Sequence, residues 1–240
     1  MEPIARVKSI HRYPAKSMAG EELDSASLGW HGLDGDRRLA FVRLGVGLGF
    51  PWLTASKLPS LITYSPVRAQ GADSKALPSR VRTPDGRELD LQGDELRAEL
   101  SAAHGAPVEL MQLDNGVFDD APISMIASTT IAAIGEVVGA PLDTRRFRPN
   151  LLIEALNGDP YVEDLWVGRT IRFGEAEDGP AIAVCLRDVR CVMISLDPDT
   201  AASDPRILKA AVRLNENCAG VYATVIKTGT IGKGDALYLL

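Results

Sequence analysis

The stretch AIAVCLRDVRCVMISLDPDT, residues 181–200, is rich in apolar and β-branched residues and ends abruptly at Asp197-Pro198. Such a run reads as a long strand closed by a turn, because β-branched side chains suit a pleated surface while Asp-Pro punctuates it. Similar short runs surround it: NLLIEAL (150–156), RTIRFG (169–174), GVYATVIKTG (220–229) and ALYLL (236–240), with one helical pattern, DPRILKAAVRLN (204–215). Many strands and few helices predict a barrel or closed sheet in this half of the chain.

The other half is also β-rich. Strands are expected around ARVKSIHRY (5–13), RRLAFVRL (37–44), SLITYSPV (60–67) and PVELMQL (107–113), and a hairpin around SRVRTPDGRELDL (79–91), with Pro84, Asp85 and Gly86 as its turn. DELRAELSAAHG (94–105) reads as a helix capped by Asp94 and stopped by Gly105. After the turn-rich DNGVFDDAP (114–122), STTIAAIGEVVG (128–139) reads as a second helix with Ser128 or Thr129 as cap. This places a boundary near residue 119, giving an N-terminal module over 1–118 and a second domain over 119–240.

The 240 residues can bury a sizeable core, and no apolar run approaches the roughly 18 residues of a membrane span. The N-terminus lacks an apolar leader segment, so a cytoplasmic protein without membrane attachment is expected. A net charge of −6 argues against nucleic acid and anionic membranes as partners, and in favour of a small molecule. The three cysteines, Cys185, Cys191 and Cys218, form no CxxC pair, which speaks against disulfides and structural zinc. His11, His31 and His104 share no ligand spacing. GVGLGF (45–50) runs into Pro51 instead of opening a helix, and reads as a loop connecting strands. No G-x-S-x-G elbow exists for a serine nucleophile.

The basic residues and Cys191 carry more. Arg145, Arg146 and Arg148 cluster in DTRRFRPN, Lys16 lies in YPAKS, and Arg37 and Arg38 lie in GDRR. A short basic run is usually solvated charge, but converging arginine forks and turn backbones also make an anion pocket. Cys185, between Val184 and Leu186, reads as a small buried hydrophobe, whereas Cys218 ahead of a strand is open to exposure. Cys191 stands apart because Arg187 and Arg190 precede it and a strand break follows. Basic neighbours favour the thiolate, the form that binds a metal or attacks an electrophile.

Taken in order, VKSIHRYPAKSMAGEELDSASLGWHGLDGDRRLAFV (7–42), RRFRPNLLIEA (145–155), RCVMISLDPDT (190–200) and TGTIGKGDALYLL (228–240) resemble the MOSC (molybdenum cofactor sulfurase C-terminal) proteins that carry an N-terminal β-barrel module. The branch includes the amidoxime-reducing components and bacterial relatives. The resemblance spans nearly the whole chain, and its weight lies in the order of the motifs. It implies a mainly β, α+β fold, with a MOSC-type barrel packed on an N-terminal β-rich module.

The resemblance also implies the molybdenum cofactor, with Cys191 ligating the metal beside the dithiolene of its pterin. Lys16, Ser17, Arg37, Arg148 and Asn150 match positions that hold the cofactor's phosphate and pterin. Thr54 and Ser128 fall in segments that approach it. Asp197 shapes the turn beyond Cys191 and is expected to orient a water or substrate. The implied activity is reduction of N-hydroxylated or N-oxygenated compounds. With no ferredoxin-like cysteine cluster in the chain, electrons are expected from a separate ferredoxin- or cytochrome-type protein. The competing reading is a cofactor carrier or a persulfide module for sulfur transfer.

Overall fold

Alternation in the first run produces β1 (Ala5–Arg12), whose Ala5, Val7 and Ile10 enter the core. The computed structural model describes every residue except Met1, Leu48, Gln70, Ala72 and Ser74. Short strands follow: β2 (Glu21–Leu23), β3 (Ser25–Gly29), β4 (Gly32–Leu33) and β5 (Leu39–Arg43). The expected strand over 60–67 is extended only at β6 (Ser65–Val67), because Pro59 opens a 3-10 turn over Pro59–Thr63. The hairpin is present as β7 (Arg80–Arg82) and β8 (Glu88–Asp90). Helix α1 (Asp94–His104) begins after Gly93, so Asp94 lies within its first turn instead of capping it, and Gly105 ends it with φ 79°. Strand β9 (Val108–Gln112) pairs with β5.

Strand β10 (Ile123–Ala127) is buried along its whole length. Its Ile123, Met125 and Ala127 face one apolar cluster, while Ile126 packs in another with Ile131 and Ile134 of α2 (Ser128–Val138). The helix provides the crossover to β11 (Leu151–Ala155), which runs parallel to β10 as such connections require. Strands β12 (Thr170–Phe173), β13 (Ala181–Val189), β14 (Cys218–Lys227), β15 (Gly229–Gly232) and β16 (Ala236–Leu239) complete the list, with α3 (Pro205–Asn215) between β13 and β14.

Hydrogen bonding runs β11-β10-β14-β13-β12-β16-β1, and β1 pairs again with β11, which closes a seven-stranded barrel. Its interior is filled by Val7, Ile153, Ile171, Phe173, Ile182, Val221 and their neighbours. The first strand of the chain is thus a barrel stave between strands that come more than a hundred residues later. A second apolar cluster, with Phe41, Leu53, Leu61, Leu96 and Leu100, lies under β5 and α1. The mainly β, α+β reading of the sequence is borne out.

The long strand expected over 181–196 stops at Val189, and Val192–Ser195 form a 3-10 turn. Arg190 explains the break. Its buried guanidinium donates to the carbonyls of Ala219 (2.7 Å) and Phe147 (2.8 Å), and Ile194 then joins the cluster of Ile207 and Ala210 from α3. The other two thiols reverse their expected environments. Cys185 lies where the β13–β14 register shifts and is exposed, whereas Cys218 is buried, and that burial pushes its thiol up.

Candidate functional site: an anion pocket with an exposed thiol

Three of the basic or polar residues singled out in the sequence, Ser17, Arg37 and Arg148, have φ of 63°, 49° and 50°. A left-handed backbone at residues other than glycine costs of order 1 kcal/mol or more, and persists where the surroundings over-determine it. Here the surroundings are visible. The Arg37 amide donates to the Tyr13 carbonyl (2.7 Å), and that of Arg148 to the Arg145 carbonyl (3.2 Å), as the chain leaves the 3-10 turn Thr144–Phe147.

Side chains then knit these turns together. Arg37 pairs with Asp36, which is 0 % exposed, and donates to Asn150 Oδ1 (3.1 Å) and the Arg148 carbonyl (3.1 Å). Asn150 Oδ1 also accepts from the Ser124 amide (3.1 Å), and its Nδ2 donates to the His11 carbonyl (3.2 Å). Two guanidinium groups approach the Tyr13 ring, with Arg148 at 4.3 Å and Arg37 at 4.9 Å from its centroid. Burial pushes the Tyr13 hydroxyl up to about 12.

Arg148 is the electrostatic anomaly. It donates to the Met18 carbonyl (2.7 Å), but its Nη2 has no hydrogen-bond partner, and among the described residues it forms no ion pair. Burial holds its guanidinium down to about 10. Arg190 likewise leaves Nη2 unpartnered, although it pairs with Asp188 at 3.0 Å. Asp188, 2 % exposed, accepts from Ser124 Oγ (3.1 Å), and burial raises its carboxyl to about 6 against the pull of Arg190.

Arg37, Ser124, Arg148, Asp188 and Arg190 border a cavity of about 330 Å³. Lys16, Ser17, Arg37 and Thr54 line it from the N-terminal part of the chain, and Ser124, Arg148, Asp188 and Cys191 from the C-terminal part. Phe50, Phe147 and Met193 add apolar wall. Cys191 is an exposed free thiol at the start of the 3-10 turn. The arginines beside it in sequence do not turn toward it: Arg187 reaches Asp164 and Glu216, and Arg190 turns inward.

Some of the expected residues lie elsewhere. Ser128 opens α2 but is absent from the cavity wall, and it does not cap the helix. Glu163 performs that role, accepting from the Ala127 amide (3.1 Å) and Thr130 Oγ1 (3.0 Å). Ser124, four residues earlier in β10, does line the cavity. Asp197 also lies outside the wall. Its Oδ1 accepts from the Asp199 amide, the Thr200 amide and Thr200 Oγ1, and its Oδ2 from Arg146 at 2.8 Å, so it builds the turn and steadies Arg146 instead of facing the cavity. Asn150 is a positioning residue behind Arg37. Arg145 is engaged by Asp143 and Asp199.

Sequence reasoning missed Tyr13, Asp36, Asp119, Asp188 and Ser124. A polar residue inside the apolar run ISMIA was the available signal for Ser124.

The donor set matches a phosphate-bearing group with a soft metal centre. Arg148 and Arg190, each with a buried guanidinium nitrogen that has no hydrogen-bond partner, line the cavity together with the exposed thiol of Cys191. Among the described residues no three His, Cys, Asp or Glu side chains are grouped to hold a metal. A metal at Cys191 would therefore bring its other donors with it.

A closed β-barrel sharing a cationic, thiol-bearing pocket with a second β-rich unit defines the class. The MOSC domain model matches residues 101–238 and the MOSC N-terminal beta barrel domain model matches residues 4–120, and the chain belongs to the MOSC family. It is 22 % identical over 290 aligned positions, covering 99 % of this chain and 84 % of the relative, to mitochondrial amidoxime reducing component 2 of Bos taurus. The crystal structure of the YuaD protein of Bacillus subtilis shares the fold, with a TM-score of 0.53 at 16 % identity over 98 % of this chain and 94 % of that one. No helix among the described residues is long and apolar enough to cross a membrane.

Proposed function

We propose that the protein binds the molybdenum cofactor in this pocket and reduces N-hydroxylated or N-oxygenated compounds with electrons from a separate ferredoxin- or cytochrome-type protein. One observation carries the reading: Cys191 is exposed in the wall of a cavity that also holds Arg148, a buried cation without a carboxylate partner. A buried unpaired guanidinium is costly, and an anionic ligand removes that cost. The bovine relative's name supports the choice of substrate, and MOSC domains are associated with this cofactor.

Bound there, the cofactor supplies a two-electron centre that accepts oxygen. Arg148, Arg37, Lys16 and Ser17 hold its phosphate and pterin, and Cys191 supplies a thiolate to the metal. Arg37 is pre-set for this by Asp36 and Asn150. The overall conversion of a hydroxylamine to an amine and water consumes two electrons and two protons. Asp188 is the carboxyl in the wall that burial equips to hold a proton near pH 6.

Protein purified from a cofactor-competent host should contain about one molybdenum per chain and release a fluorescent pterin on oxidation. Cys191→Ala should lower reduction of a model amidoxime at least a hundredfold. Absence of molybdenum, or full activity in Cys191→Ala, overturns the proposal. A molybdenum-loaded protein that reduces no N-hydroxylated compound overturns the reductase half and leaves a carrier.

A further inference from the structure

Lys16 is 5 % exposed, and its charge is already matched. Nζ donates to Asp119 Oδ1 at 2.8 Å and to the Val117 carbonyl at 3.2 Å. The Asp119 side chain is 63 % exposed and comes from the segment 114–122, which contains neither helix nor strand. That segment is tied down just ahead of it, by the Leu113 amide on the Arg38 carbonyl and the Val117 amide on the Arg37 carbonyl, both at 2.8 Å. Its carboxylate, although burial opposes this, is held below the usual range by Lys16, Arg37 and Arg148. These are the cations to which the reading above assigns a phosphate.

A carboxylate among three cations does the electrostatic work of a ligand anion, so the two compete for one place. Asp119 is suited to leave. Its side chain is largely in solvent, and among the described residues no hydrogen bond holds it except that of Lys16. Arg148 is not ion-paired with Asp119, and its Nη2 has no hydrogen-bond partner among the described residues.

We propose that Asp119 is a displaceable internal counter-ion of the anion subsite, one that a ligand's phosphate group must push off Lys16 to enter. The inference rests on the reading of this site as a phosphate clamp. Asp119 thereby sets how strongly the pocket takes phosphate, and it keeps Lys16 neutralised while the pocket is empty.

The test is calorimetric titration of the full chain, made in a host without cofactor synthesis, with inorganic phosphate and pyrophosphate at pH 7.5. Asp119→Asn should bind both about fivefold more tightly than the wild type, the gain expected from removing a competing partly exposed ion pair. Lys16→Gln should lose the binding whether or not Asp119 is present. Unchanged thermal melting of Asp119→Asn confirms that the fold is retained. Equal or weaker binding by Asp119→Asn, with wild-type binding measurable, overturns the counter-ion role alone. Binding by neither protein overturns the phosphate clamp as well.

Discussion

At the scale of single residues the site is governed by where charge is buried. Lys16, Arg37 and Arg190 each have a carboxylate, in Asp119, Asp36 and Asp188, whereas Arg148 has none among the described residues. Asp188 shows what such burial does to stability. Its carboxyl is raised from 3.8 to about 6, so its contribution to folding is fully present below pH 4 and is lost as pH rises through 6. Unfolding free energies of wild type and Asp188→Asn, followed by urea titration between pH 4 and 7, should therefore diverge, with the wild type losing roughly 2 kcal/mol relative to the variant across that range. A flat difference would show that Asp188 titrates as an ordinary carboxyl.

At the scale of elements, helix and strand limits were set by distant partners. Helix α2 has no side-chain cap of its own, and Glu163, buried in a 3-10 turn more than thirty residues on, accepts from the Ala127 amide just ahead of it and from Thr130 Oγ1. Glu163→Ala would leave those donors unpaired, costing about 2 kcal/mol and lowering Tm by roughly 4–8 °C, as calorimetry would show. Glu163→Gln keeps an acceptor and should lose less. The strand over 181–189 was legible from its β-branched run, but its end was not. Arg190 breaks the strand because two carbonyls from other elements call its side chain inward, and no local pattern encodes their positions.

At the scale of the molecule, the barrel closes only through β1, which pairs with β11 on one side and β16 on the other. A fragment of residues 119–240 lacks that stave, and an open sheet edge with apolar faces is expected to aggregate. Its thermal denaturation should show no cooperative transition, in contrast to the full chain; a cooperative melt of the fragment would mean that the barrel closes without β1. The same closure explains how much of the site could be read beforehand. The resemblance carried by YPAKS, GDRR, FRPN and RC pointed to Lys16, Ser17, Arg37, Arg148 and Cys191, and the fold brings these five to the wall of one cavity. Alternation and turn residues were enough for a β-rich barrel. Only the tertiary structure decided that Ser124 lines the cavity while Ser128 does not, that Asp197 serves its own turn, and that Asp36, Asp119 and Asp188 neutralise three of the cations. The physical reason is that partners of a buried charge are chosen by distance in space, and barrel closure joins residues that local periodicity cannot relate.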